Sequence, residues 1–269
     1  MKKYTKDNIQ TLVATMDNND IERLLKNNNV TGKYVVVNQT DKDGIKNTKN
    51  GVIIYSSERG LSKSRNLAIS ESNMPISLLS DDDIYYMDGY RTIIAEAYNR
   101  YPDADIIAFS VKYQDRTKTK HMFKEGRVGY LKSLGISSVQ ISFLTESIKA
   151  NNIKFDESFG AGSVYNFGEE NIFLYDCLKR KLKIYYVPMT IATIMNTRDS
   201  SWFRGYNEKY LATRGATYSR MSKKMAFALI LQFAIRKQGI LKPNGYNIKE
   251  SIKIMLLGAK KYQRGRHEK

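Results

Sequence analysis

The sequence predicts an α/β fold with a mostly parallel central sheet flanked by helices. Three observations lead there. Short runs of β-branched residues alternate with segments of helical spacing. Several of those runs stop abruptly in polar residues. One of them, Pro75-Ile76-Ser77-Leu78-Leu79-Ser80, stops in Asp81-Asp82-Asp83. Parallel strands joined by helices end along one edge, and open α/β sheets bind their ligands at that edge.

The elements follow in order. Residues 11–16 read as a first buried strand. Asp17-Asn18-Asn19-Asp20 makes a turn, with Asp20 as N-cap of a short helix over 21–26. Residues 34–37 are a β-branched strand closed by Asn38-Gln39-Thr40. Residues 41–50 read as a polar loop, 52–55 as a third strand and 62–70 as a helix. The run before the acids is a fourth strand. Residues 89–100 are helical, with Ile93, Ile94 and Ala97 on one face, and 106–111 form a fifth strand. Short helices are expected over 130–134 and 142–150, and a flexible loop at 160–163. A helix over 169–180 follows, then a strand over 182–188 stopped by Pro188. The pattern places an α/β domain at 1–205 and a basic helical extension at 206–269.

Composition narrows the classes. The 269 residues are 42% hydrophobic, enough to bury a core. The single cysteine, Cys177, excludes an internal disulfide. With only two histidines, His121 and His267, a structural zinc site is not expected. The N-terminus leads into no apolar signal segment. The longest apolar run, 226–235, contains Gln232 and is about half the ~20 residues that a spanning helix needs. These features predict a cytoplasmic protein. The net charge of +17 is unevenly placed. Residues 201–269 hold 16 Lys and Arg against three acids, so +13. Residues 1–200 hold 28 against 24, so +4. Such a tail seeks nucleic acid or an anionic membrane surface.

The acidic triplet has two readings. It is a solvated turn capping the helix near Asp88, or a site where a divalent cation offsets the repulsion and holds a diphosphate. Thr15 and Asp17 lie at the end of the first strand and Asn38 at the end of the second, so all share one crevice with the triplet. Asn38 either pairs with a base edge or forms a turn. Gly60 opens a helix whose N-terminal amides suit an anion or a base, with Arg65 and Asn66 on its first turns.

In this order, Thr15, Asn38, Gly60-Leu61-Ser62-Lys63-Ser64-Arg65-Asn66 and Leu79-Ser80-Asp81-Asp82-Asp83-Ile84 resemble a family 2 glycosyltransferase of the GT-A fold, of the bacterial surface-polysaccharide type. Phe155-Asp156-Glu157 and Gly168-Glu169-Glu170-Asn171-Ile172-Phe173 extend the resemblance, which covers residues 10–210. It implies an inverting transfer from a nucleotide sugar, UDP-linked, to a hydroxyl of a lipid-linked glycan. It implies Mn²⁺ or Mg²⁺ on Asp83 or Asp82, with Asp81 nearer the ribose or sugar. Thr15, Asp17, Asn38 and Arg65 would line the nucleotide. Glu170 would be the catalytic base and Glu169 its orienting neighbour.

The sequence departs from the family at three positions. Asn38-Gln39 stands where relatives carry acid, Glu170 where they carry Asp, and Asn196 where many carry His; Asn196 still offers a metal an oxygen. Residues 196–206 read as a loop beside the site, with Trp202 for a sugar ring and Arg198 for the diphosphate. The alternative to a sugar contact is Trp202 as a core anchor. In the tail, residues 222–236 and 252–266 mix apolar and basic residues at helical spacing. This predicts peripheral attachment to the inner face of the membrane, with no nucleic acid bound. The competing readings are a basic nucleic-acid-binding protein and a non-catalytic scaffold of the same fold.

Overall fold

Alternation along the strands sets the layers. The structure, a computed structural model, describes residues 3–115, 123–195 and 205–267. In chain order it has β1 (Ile9–Met16), α1 (Ile21–Asn27), β2 (Lys33–Gln39), β3 (Gly44–Asn47), β4 (Gly51–Ser56), α2 (Leu61–Glu71), β5 (Ile76–Asp81) and β6 (Ile84–Tyr86). Next come α3 (Tyr90–Arg100), β7 (Ile106–Tyr113), β8 (Gly126–Val128), α4 (Tyr130–Ser133), β9 (Ile141–Leu144), α5 (Thr145–Ala150), α6 (Glu169–Lys179) and β10 (Ile184–Ile194). The chain closes with α7 (Glu208–Met221), α8 (Ala226–Arg236), α9 (Gln238–Leu241) and α10 (Ile248–His267). Leu12, Val35 and Val37 face one core, with Phe173 and Leu174 of α6. Val13 and Val36 face the other side, with Ile21 and Leu25 of α1. Successive strand side chains point to opposite faces, so both sides of the sheet need a helical layer.

The strands pair in the order β3-β4-β2-β1-β5-β9-β7-β10-β6, with β8 also on β10. β4, β2, β1 and β5 run parallel. Register puts Thr15 beside Asn38 and Ala14 beside Asp81, so the predicted strand tips do form one edge. β9 is antiparallel to both β5 and β7 and separates the parallel strands into two groups.

The pairing order forces the sheet to curl. β5 and β6 are joined only by Asp82 and Asp83, yet β9, β7 and β10 stand between them. Four spacings in a flat sheet cover about 19 Å, whereas three chain steps reach at most about 11 Å. The bend is visible in β10, whose register against β7 shifts between Val187 and Ala192 before its last residues pair with β6.

Four expectations change. Residues 41–50 include β3, an edge strand exposed along its whole length; with no buried face it shows no apolar alternation. The first part of the expected helix 142–150 is β9, because pairing on both sides outweighs local preference. Pro188 does not stop β10, since the bulged register beside it tolerates a missing N–H. The triplet does not cap a helix: β6 follows it, and α3 begins only after Gly89.

The C-terminal helices build their own core with Leu211, Tyr218, Ile230, Phe233 and Met255, joined by Ile172 and Tyr175 of α6. α6 therefore lies between the sheet and this bundle. α7 and α10 cross closely enough that a Cβ on Gly215 would overlap the Met255 carbonyl, and one on Gly258 the Ala212 carbonyl. Arg220 of α7 fastens the bundle to Asp156 at 2.6 Å and to Asp176 of α6 at 2.8 Å. Among the described residues no helix is long and apolar enough to cross a membrane.

Candidate active site

The acids of the β5 tip are held at several points. Thr15 Oγ1 donates to Asp82 Oδ2 at 2.7 Å. Asn28 Nδ2 donates to the Asp82 carbonyl at 2.9 Å, and the Met195 amide donates to the Asp83 carbonyl at 2.8 Å. The turn thus takes its shape from β1, from the end of α1 and from the end of β10. All three carboxylate residues are partly buried.

Arg65 connects this tip to α6. Its Nη2 donates to Asp81 Oδ1 at 2.9 Å and to Ser138 Oγ at 2.8 Å, and its Nη1 donates to Glu169 Oε1 at 2.8 Å. The guanidinium stands 5.5 Å from the Phe155 ring centroid, and that ring stacks on Phe173 at 4.4 Å. Asn66 exchanges hydrogen bonds with the Phe155 backbone, Nδ2 to the carbonyl at 3.0 Å and Oδ1 from the amide at 2.8 Å. The segments 60–66, 79–84, 155–157 and 168–173 therefore meet around one buried cation. Arg65 is an electrostatic hub between acids rather than an exposed lining of a nucleotide cleft.

Glu170 sits in the first turn of α6, beside Glu169. Gly168, the N-cap, has φ +99°, where side chains are strained, and a Cβ there would also press on Thr217 of α7. The bundle thus packs directly on the end of α6 that carries both acids. Burial, first, and the Glu169 carboxylate, second, push the Glu170 carboxyl up to about 8. Its backbone hydrogen bond and the charges of Arg65 and Arg214 oppose that shift. A carboxyl so placed holds a proton near neutrality and accepts one readily once ionised, the property required of a general base.

Asp17 and Asn38 lie at the ends of β1 and β2, on the same sheet edge as the triplet. Asn38 is fully buried, and its amide is clasped to the Asn18 backbone, with Nδ2 donating to the carbonyl at 2.7 Å and Oδ1 accepting from the amide at 3.2 Å. It shapes the loop after β1. Asp17 is gripped by Arg59 at 2.9 Å, which also binds Asp41 at 2.8 Å. At the start of α2 the Gly60 amide donates to Gln39 Oε1 at 2.6 Å and the Leu61 amide to the Ala161 carbonyl at 3.0 Å. Those two amides are committed within the protein. Asn196, Arg198 and Trp202 lie outside the described residues.

Two arginines escaped the sequence reading. Arg59 stands just before the Gly60 motif. Arg214 of α7 lies within 4.6 Å of the Phe167 ring centroid, 5.4 Å of Tyr210, 5.5 Å of Phe233 and 5.9 Å of Tyr218. It donates to Tyr210 Oη at 3.0 Å and to Asn171 Oδ1 at 3.3 Å. Among the described residues its Nε finds no acceptor. The signal was present as Tyr210, Arg214 and Tyr218 at intervals of four, one helix face.

The carboxylate oxygens of Asp82 and Asp83 are hard donors of the kind Mg²⁺ and Mn²⁺ select. No three His, Cys, Asp or Glu side chains gather around one point among the described residues. The donors thus fit a cation held by one or two carboxylates and completed by phosphate and water, rather than a closed protein cage.

The chain shares the fold of TarS from S. aureus. TarS 1-349 in complex with UDP-GlcNAc superposes with a TM-score of 0.63 and 16% identity, over 88% of this chain and 74% of that one. The complex with UDP gives 0.57 at 16% identity, over 88% and 73%. A longer TarS structure gives 0.59, and this chain covers 44% of it. No protein-family model matches the chain, and no curated protein matches it in sequence.

Proposed function

We propose that the chain is an inverting glycosyltransferase of family 2 type that moves a hexose from a UDP-linked donor to a hydroxyl of a lipid-linked surface glycan, of the kind that builds capsule or cell envelope. The observation that carries the reading is Arg65, which pairs with Asp81 of the β5 tip and with Glu169, the neighbour of Glu170, at the edge of the sheet. TarS solved with UDP-GlcNAc and with UDP on the same fold supports a nucleotide-sugar donor.

Each residue then has a task. Thr15, Asp17 and the loop that Asn38 shapes border the nucleotide. Asp81, restrained by Arg65, faces the ribose or sugar. Asp82 and Asp83 would hold Mn²⁺ or Mg²⁺, which supplies positive charge against the phosphate oxygens of the leaving group. Ionised Glu170 takes the proton of the acceptor hydroxyl. The freed oxygen bonds to the anomeric carbon as the bond from that carbon to the diphosphate breaks, and the nucleoside diphosphate leaves with the electron pair. One displacement inverts the configuration. Glu169, paired with Arg65, fixes the helix turn from which Glu170 projects.

Titration calorimetry tests the donor half: UDP should bind in the presence of Mn²⁺ or Mg²⁺ and lose that binding with chelator. Failure to bind any nucleoside diphosphate overturns the proposal.

A further inference from the structure

The C-terminal bundle keeps a large apolar surface in water. α8 buries Leu229, Ile230 and Phe233 in the bundle core but leaves Phe227, Leu231 and Ile235, at intervals of four, on its outer side. Phe227 is 57% exposed and Ile235 56%. α10, which packs against α8, exposes Leu256 and Leu257 in the same way. On α10 these leucines lie in an open groove with Ile252, walled by Lys249, Lys253 and Lys260. From Ser222 to Arg264 the chain carries ten lysines and arginines and a single acid, Glu250. The α10 groove is exposed apolar surface with a lysine rim, the mark of an interaction site, and the α8 stripe adds further exposed apolar side chains on a helix packed against it.

Charge and chemistry select the occupant. A second copy of the chain would set lysines against lysines around the patch, and like charges in apposition are costly. Nucleic acid would use the lysines but leave five large apolar side chains facing phosphate and water. An anionic bilayer surface satisfies both. Its headgroups meet the lysines, and its acyl boundary takes the apolar stripe while the lysine stems extend outward.

We propose that the outer face of α8 and α10 is a docking surface for an anionic lipid bilayer, on which the protein lies without crossing it. The inference stands on this face alone and does not depend on the transfer reaction.

Vesicle co-sedimentation of the full chain tests it. Vesicles of phosphatidylcholine with about a third phosphatidylglycerol should capture the protein, pure phosphatidylcholine vesicles should capture it weakly, and added salt should release it. Leu231→Glu with Ile235→Glu should lower partitioning at least tenfold. Lys249→Gln, Lys253→Gln and Lys260→Gln should lower it roughly fivefold per lysine removed. All five side chains are exposed or line the open groove, so thermal unfolding midpoints should stay near the parent value. Equal capture of the parent and both variants overturns the proposal, as does no capture at all. A dimer in sedimentation that Leu231→Glu and Ile235→Glu dissolve, or DNA that binds more tightly than the vesicles, would assign the face to those partners instead.

Discussion

Arg59 and Arg65 each clamp two carboxylates, yet their surroundings are opposite. Arg65 is 3% exposed and joins Asp81 to Glu169. Arg59 is 39% exposed and joins Asp17 to Asp41, itself 93% exposed. Water and salt screen the Arg59 cluster, so it contributes little to stability and stays open to exchange with a ligand. The Arg65 cluster is desolvated, so removing one member leaves an uncompensated charge inside the protein. One side of the site, around Arg59, is thus adaptable and the other, around Arg65, is electrostatically fixed.

Changes on the fixed side should have the largest effects. Glu170→Gln should cut transfer by roughly 10²–10⁴-fold while leaving UDP binding intact, as measured by steady-state rates beside calorimetry. Unchanged transfer would remove Glu170 from the role of base. The same variant separates stability from catalysis. The Glu170 carboxyl is raised in the folded protein, so its contribution to stability is full below its ordinary value and is lost as pH rises toward about 8. Glu170→Gln should therefore unfold at a similar temperature to the parent near pH 4 and several degrees higher near pH 8–9.

Arg65→Met should cost about 3–5 kcal/mol in denaturant unfolding, because Asp81 and Glu169 are left facing each other. A cost under about 1 kcal/mol would mean that this side is as well solvated as the one around Arg59.

Smaller effects concern the acid limb of kcat/KM. Glu169→Gln removes a negative charge beside Glu170 and should move that limb to lower pH. Arg214→Gln removes a cation and should move it to higher pH, lowering kcat/KM at pH 7 by less than about tenfold. A role of Arg214 confined to packing would lower stability and leave the limb in place.

The smallest change should be Arg59→Met, with less than about 1 kcal/mol lost from stability, a several-fold weaker UDP affinity and a steeper response of the parent than of the variant to salt.

The two sides also differ in how far the sequence discloses them. Strand ends are local, so Thr15, Asn38 and the triplet could be placed on one edge from alternation and polar stops alone. The Glu169-Glu170 turn was legible as the start of a helix, and only the resemblance of Gly168-Glu169-Glu170 to the family's segment singled out its acids. What the partners do was not legible. Asn38 has the chemistry of a base contact, but its amide serves Asn18. Gly60 starts a helix, but Gln39 and Ala161 occupy its first amides. Arg214 belongs to a segment whose basic character points outward, although this one arginine turns inward to four rings. Each depends on contacts between residues distant in sequence, which period and composition do not encode. β9 was hidden for the same reason.

The curl that brings β6 back to the end of β5 also has a consequence for synthesis. The carbonyl of Asp83 waits for the amide of Met195, and β6 waits for the last residues of β10. A ribosome that has delivered the first hundred residues has already made all three acids of the triplet, but not the strand that closes their turn. The nascent chain can pair β1, β2, β4 and β5 early, whereas the geometry around the acids is completed only after residue 195 has emerged. A chain stalled before that point carries the residues of the site without the site.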